Sequence, residues 1–384
     1  MKSRPKILIM THTDPATDPL ILKIYSAANL AGFNSKIIGI DRVRKPDLNS
    51  EIYLIKTWSS KLLAKKLLWF TFIRILNYFE IATRATILIY KNKPQLIYCN
   101  DWVMLPMVTL SRLFLKFKII YHAHELESET QNLNFFLKKI IVIVEKISWK
   151  YISYFITVND SIKNWYLLKY GFKKTELVVN SPIYQEVFVD NSNNSKNLRN
   201  IYKISTRSNI FVFVGNLDHG RGIAVILEAF SRIDSDACVI FIGDGPMLEI
   251  IKAQKKYGVN IFHHNRVKYE DLILLSSTAD FGLCLIENVS LSDYFSLPNK
   301  LFEYSFANLF ILATPLPEIK NLINSFSLGS IIDLSPQALA SWIDEKSKLN
   351  EKRRPPNSQF IRTFEWKSQE KKIIKILQTV HTIK

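Results

Sequence analysis

Residues 279 to 304 read Ala-Asp-Phe-Gly-Leu-Cys-Leu-Ile-Glu-Asn-Val-Ser-Leu-Ser-Asp-Tyr-Phe-Ser-Leu-Pro-Asn-Lys-Leu-Phe-Glu-Tyr. Phe281 to Ile286 is a short apolar run of the kind a buried parallel strand requires. A polar loop, Glu287 to Leu297, follows it. Pro298 suits a first helical turn, where its missing N–H costs nothing, and Asn299-Lys300-Leu301-Phe302-Glu303-Tyr304 opens the helix. A helix start offers unpaired N–H groups and a partial positive charge, which suit a bound diphosphate. Lys300 adds a full charge, and Glu303 is an acceptor for two vicinal ribose hydroxyls. The alternative for this stretch by itself is a plain buried strand–helix unit with a polar loop.

The same order recurs on either side. Lys6 to Met10 reads as a strand, Leu20 to Ala31 as a helix ending at Gly32, and Lys36 to Ile40 as the next strand. This βαβ unit begins a doubly wound α/β sheet. No Gly-x-Gly-x-x-Gly follows the first strand, which argues against a dinucleotide dehydrogenase. Gln95 to Cys99 runs into Asn100-Asp101-Trp102, and Lys118 to Tyr121 into His122-Ala123-His124-Glu125. Both loops sit at the carboxyl ends of strands, where open α/β sheets bind ligands. The two histidines and nearby glutamates leave a metal site and a structural loop as readings. Being two apart at a strand end, the histidines are expected to point opposite ways, which argues against metal.

In the second half, Asn209 to Val214 leads into Gly215-Asn216-Leu217-Asp218-His219-Gly220-Arg221-Gly222. A glycine-bounded loop there lets backbone approach a phosphate, and Arg221 can fork onto two phosphate oxygens. Cys238 to Ile242 ends in the turn Gly243-Asp244-Gly245-Pro246. Between the halves, Gln185 to Ser208 turns polar and low in complexity, and reads as a flexible connection. The expected organisation is residues 1–184 as one domain, 185–208 as linker, 209–362 as a second domain, and 363–384 as a last helix.

A chain of 384 residues that is 48% apolar has ample material for two packed cores. Cys99, Cys238 and Cys284 lie far apart without metal-ligand spacing, so buried thiols in a reducing compartment are expected. The first ten residues carry too short an apolar stretch for a signal peptide. No run approaches the length of a transmembrane helix. The net charge of +17 is lopsided: residues 1–180 hold 27 Lys and Arg against 13 Asp and Glu. Such a surface seeks a polyanion. Its most basic and aromatic part, Trp58 to Lys93, reads as a helix with a wide apolar face edged by Lys61, Lys65 and Lys66. A helix lying in a membrane interface and a core-packed helix with a basic outer side both fit it. Phe135 to Tyr151 is a second apolar and basic helix. No nucleic-acid-binding motif accompanies the charge, and nucleic acid is not expected as a partner.

Taken together, Asn-Asp-Trp at 100–102, His124-Glu125-Leu126, Arg221-Gly222, Gly243-Asp244-Gly245-Pro246 and Ser296-Leu297-Pro298-Asn299-Lys300-Leu301-Phe302-Glu303-Tyr304 resemble the family-4 retaining glycosyltransferases. The resemblance covers nearly the whole chain and is most specific over residues 211–304. It implies the GT-B fold, two Rossmann-like α/β domains facing across a cleft, with the nucleotide-sugar in the second and the acceptor in the first. It implies that Glu303 holds the ribose and that His124 lines the donor sugar. Arg221 and Lys300, with the helix start at Leu297, Pro298 and Asn299, would stabilise the departing diphosphate, the job a metal does elsewhere. Gly215, Asn216, Gly243 and Gly245 would line the donor, and backbone near Arg266 and Val267 would face the base. Asp101, Trp102 and Glu125 would stand on the acceptor side.

Three positions depart from the family pattern. Leu20 stands where an arginine is usual, Asn216 replaces the first cation of the phosphate loop, and Phe295 replaces an earlier glutamate. Sugar contacts then fall to backbone near Leu297 or to Asp293. The implied activity is transfer of a glycosyl unit, with retention of configuration, to a lipid-linked or cell-surface polysaccharide, lipopolysaccharide among them. It needs no cofactor and no metal, since the nucleotide-sugar is a substrate. The implied location is cytoplasmic, peripheral on the inner face of an anionic membrane. A nucleotide-sugar epimerase and a non-catalytic nucleotide-binding assembly protein are the other readings.

Overall fold

The computed structural model describes residues 4–41, 51–57, 70–184, 197–255, 260–349 and 358–382. The chain divides into two compact units: residues 1–180 with 367–384, and residues 181–366. Among the described residues no helix is long and apolar enough to cross a membrane. All three cysteines are buried and free.

The first unit is a sheet of seven strands: β1 (Lys6–Thr11), β2 (Asn34–Ile40), β3 (Ile52–Ile55), β4 (Leu96–Asn100), β5 (Lys118–Ala123), β6 (Tyr154–Thr157) and β7 (Thr175–Leu177). Their order is β3-β2-β1-β4-β5-β6-β7, and every pair is parallel. Parallel neighbours need crossovers, and crossovers in such sheets are right-handed. The Pro19–Leu30 helix, between β1 and β2, therefore covers one face. The Phe70–Asn92, Leu105–Arg112 and Phe135–Trp149 helices precede β4, β5 and β6, strands added in the other direction. They cover the opposite face as one layer. Of the basic aromatic segment read at Trp58 to Lys93, residues 58–69 lie outside the described residues. The Trp366–Thr382 helix joins this unit from Lys367 onward. Gln369 Oε1 accepts the Val179 N–H, Lys372 Nζ donates to Leu177 O at 2.9 Å, and the His381 ring meets Phe33 edge-on.

A buried carboxyl sits under the helix layer. Glu145, on the Phe135–Trp149 helix, accepts hydrogen bonds from the hydroxyls of Tyr121, Tyr166 and Tyr170 at 2.9, 2.6 and 2.8 Å. Burial pushes its pKa up, and the three phenols only partly offset that.

The second unit is a six-stranded sheet: β8 (Ile210–Val214), β9 (Cys238–Ile242), β10 (Ile261–His264), β11 (Phe281–Cys284), β12 (Phe310–Ala313) and β13 (Gly329–Ile331). The order β10-β9-β8-β11-β12-β13 reverses direction between β8 and β11. Every residue of β8, β9 and β11 is buried, as strands covered on both faces must be. Phe211 and Phe281 stack at 4.5 Å across the β8–β11 pair, at the centre of the core. Residues 197–208, read above as part of a connection, lie against this sheet. Leu198 is fully buried, its N–H donates to Thr278 Oγ1, and Arg199 pairs with Asp280 at 3.2 Å.

Candidate functional site

In the second unit the loops after β8 and β11 leave the sheet at the point where strand order reverses, the place where open sheets of this kind hold ligands. The β8 loop, residues 215–222, is tied down by backbone. Gly215 N donates to Ile242 O and Leu217 N to Asp244 O, so it stacks on the turn after β9. A Cβ added at Gly243 would fall 2.0 Å from Gly215 O. The loop's far end meets the β11 loop: Glu287 N donates to Gly220 O, and Gly222 N donates to Glu287 Oε1 at 3.0 Å. Gly222 is left-handed at φ 71° and caps the Ile223–Phe230 helix, and a Cβ there would lie 2.5 Å from Leu285 O. Glycine meets both demands at no steric cost.

Arg221 and Lys300 converge on this corner. Lys300 is the second residue of the Asn299–Phe306 helix, and its ammonium lies 3.7 Å from the Phe213 ring centroid, over β8. Burial brings its pKa down to about 8, Cys284 and Glu303 resist that, and Arg221 adds to it by repulsion. The same two cations pull against burial at the Cys284 thiol, which still stands at about 12. Arg221 is part exposed, and its Nη1 stands 3.7 Å from Asp293 Oδ1. Asp293 is itself held by the Ser290 hydroxyl at 2.5 Å and by its own N–H to Ser290 Oγ. Pro298 proves to be the N-cap of the helix, one residue earlier than its first turn, and gives no side-chain cap. Two cations and uncapped helix N–H groups make a basin for phosphate oxygens.

Glu303 is buried one turn on from Asn299, close enough to Lys300 to favour its charge. Leu297 and Pro298 are half-buried and Asn299 is exposed. Asn216 is exposed and its Nδ2 donates to Asp218 Oδ2, so the loop has no cation at that position. Gly245 follows Gly243 in the turn that stacks on the loop. Arg266, exposed, and Val267, half-buried, leave the carboxyl end of β10. His263 Nε2 and Gly243 O are 2.8 Å apart and tie that end to the β9 turn.

One contributor escaped the sequence reading. The phenol of Tyr304 is fully buried between β8 and β11 and takes the Val214 N–H. Its signal was Gly282, the one glycine in an otherwise apolar strand, which leaves room for that ring.

The first unit gathers polar groups at the ends of β1, β4 and β5. Asp101, at φ 87°, accepts from His12 Nδ1 at 2.6 Å, from the His12 N–H and from the Val103 N–H. Its carboxylate is buried, while the His12 side chain in front of it is 37% exposed. His12 was not singled out in the sequence: it lies in a loop that carries no recognisable motif. His124 Nε2 meets Asn100 Oδ1 at 2.6 Å, so that nitrogen carries the proton. Burial holds the His124 ring neutral against Asp18 and Asp101, and His12 adds to this. His122 and His124 do not point opposite ways. Their ring centroids are 3.9 Å apart, because residues two apart on a strand share a face. His122 Nδ1 bonds the Tyr98 hydroxyl at 2.7 Å and burial lowers its pKa far. Trp102 is half-buried and Glu125 exposed. Among the described residues no three His, Cys, Asp or Glu side chains gather as metal ligands.

Comparisons with known proteins fit this architecture. No curated protein matches the chain in sequence. Sucrose-phosphate synthase from Thermosynechococcus elongatus aligns with a TM-score of 0.72 at 14% identity, over 98% of this chain and 99% of that one. Anabaena HepE in complex with UDP-glucose aligns with a TM-score of 0.72 at 14% identity, over 97% and 99%. WaaG, a glycosyltransferase involved in lipopolysaccharide biosynthesis, aligns with a TM-score of 0.69 at 14% identity, over 96% and 99%. At such identities the likeness speaks for the fold. The chain has the GT-B fold of two Rossmann-like parallel-sheet units, and residues 194–359, which carry the Arg221–Lys300 corner, match the model of the glycosyl transferases group 1 family.

Proposed function

We propose that the protein is a glycosyltransferase that takes its sugar from a nucleotide-diphosphate donor bound in the second unit. The observation that carries this is the meeting of Arg221, Lys300 and an uncapped helix start at the β8–β11 reversal. A leaving diphosphate gains charge as the glycosyl bond breaks, and fixed cations in a dry corner stabilise that charge without a metal. Glu303 takes the ribose hydroxyls, Gly215, Asn216, Gly243 and Gly245 line the phosphates and ribose, and Arg266 and Val267 border the base. HepE has been solved with UDP and with UDP-glucose, which supports a uridine donor. Transfer retains configuration, with His124 against the donor sugar and Asp101, Trp102 and Glu125 toward the acceptor. The acceptor is a lipid-linked or surface polysaccharide, met on the inner face of the cell membrane.

Incubation with UDP and UDP-sugars should raise the melting temperature, since a ligand of the native form alone stabilises it. Glu303→Ala and Arg221→Ala should remove transfer while the fold survives, and the anomeric signal of the product reports retention. A Glu303→Ala protein with normal transfer would end this reading. Asn216 in place of a cation favours a second one, nucleotide binding without transfer. That reading predicts a melting shift and no turnover with any acceptor. An epimerase would convert donor with no acceptor present.

A further inference from the structure

The Phe135–Trp149 helix presents its apolar residues to water. Phe136, Ile140, Ile143 and Ile147 are 77, 51, 54 and 55% exposed. Their spacing of four, three and four places them on one stripe. Lys139, Lys146 and Lys150 are exposed alongside it, and the Lys139 ammonium lies 4.2 Å from the Phe135 ring. The inward side is already filled by Ile141, Glu145, Ser148 and Trp149. The outward stripe is thus surplus to the core.

Its neighbours in the same layer repeat the pattern. Leu110, Leu113 and Phe114 are exposed on and just after the Leu105–Arg112 helix, and Ile75, Leu76, Phe79 and Ile87 on the Phe70–Asn92 helix. Scattered exposed leucines need no explanation, but a patch running over three adjacent helices does. Its acids are matched: Glu80 pairs with Arg84, and Glu145 is buried beneath.

We propose that this three-helix layer is the surface by which the protein lies on an anionic lipid bilayer. The inference deepens the reading of a membrane-borne acceptor and rests on it. The Phe135–Trp149 helix sits at the boundary of headgroups and acyl chains, with its apolar stripe inward. The lysines bury their stems and reach back to lipid phosphates. Charge separates this occupant from a second copy of the chain. A two-fold dimer that set the helices antiparallel through this face would press the lysine row against its twin, whereas an anionic surface neutralises that row.

The test is flotation of the full chain with phosphatidylcholine vesicles and with vesicles that also contain phosphatidylglycerol. Binding is expected to the anionic vesicles alone, and to fall as salt rises. Lys139→Gln and Lys146→Gln should each lower partitioning about fivefold. Ile140→Ser with Ile143→Ser should abolish it, and both sites are exposed enough to leave the melting temperature in place. Ultracentrifugation and the UDP-induced melting shift accompany each variant. Absence of binding to anionic vesicles, a serine variant that floats like the parent, or a dimer that those serines dissolve would each overturn the proposal. Loss of the UDP shift in the parent, with flotation intact, would instead strike the donor reading and leave the surface standing.

Discussion

The Tyr304 hydroxyl accepts the Val214 N–H at 2.8 Å, closing the gap where β8 and β11 part. The two strands pair only through Phe211 with Phe281 and Val212 with Gly282. Beyond that the buried Val214 N–H has no strand partner, and a helix side chain supplies one. The same hydroxyl lies 3.4 Å from Val212 O and Leu283 O. The Asn299–Phe306 helix, which carries Lys300 and Glu303, is thereby fastened to the strand that launches the glycine loop.

Tyr304→Phe should cost about 1–3 kcal/mol of stability, because it strands a buried donor and leaves the ring's packing intact. The shift of Lys300 against the loop should also weaken UDP affinity. Denaturant midpoints and UDP titration check both. A neutral effect on each would mean that the hydroxyl merely fills space.

In the proposed donor site, Lys300 should make binding depend on pH. With its value brought down to about 8, the free site loses a charge as pH rises past that point. A diphosphate favours the ammonium, so binding takes up a proton there. UDP affinity should fall toward tenfold per pH unit above pH ~8. Calorimetry in buffers of different ionisation enthalpy reads the uptake, and Lys300→Met should flatten the profile.

Gly222→Ala should destabilise by about 1–3 kcal/mol, since it meets both a left-handed backbone and the Leu285 carbonyl. It should also displace Arg221 and weaken UDP binding. Gly171→Ala is the control: φ is 94° there, but no atom lies within 4 Å. It should cost less and leave UDP binding alone.

Glu145→Ala should cost more than about 3 kcal/mol, by leaving a void and three phenols, two of them fully buried, without their acceptor. Glu145→Gln should cost less. The raised pKa sets a sign for pH. The unfolded chain gives up this proton first, so stability should decline as pH rises above the ordinary glutamate range, and Glu145→Gln should remove that decline. Thermal melts across pH measure it.

The second sheet was legible because its strands are apolar runs ended by polar or glycine loops, as at Ile210–Val214 and Phe281–Cys284. The Arg221 and Lys300 positions followed from loop and helix-start chemistry, which is local. Ile52–Ile55 and Gly329–Ile331 are short edge strands whose identity depends on the neighbour they pair with, so they left no pattern to read. His12 and Tyr304 act through partners about ninety residues away, Asp101 and Val214. Such pairings are invisible until the chain is folded. The two histidines at 122 and 124 were misjudged in direction, although strand alternation alone places them together.

Anchoring of the Leu198–Ile201 turn on the second sheet has a practical consequence for dissecting the molecule. A fragment cut to begin at Asn209, just before β8, would leave behind Leu198, Arg199 and the ring of Tyr202 over Phe262. It would bare Thr278, Asp280 and the outer edge of β10 to water. Excision of a self-sufficient second unit therefore has to start upstream of Asn197, whose side chain accepts the first N–H groups of that turn.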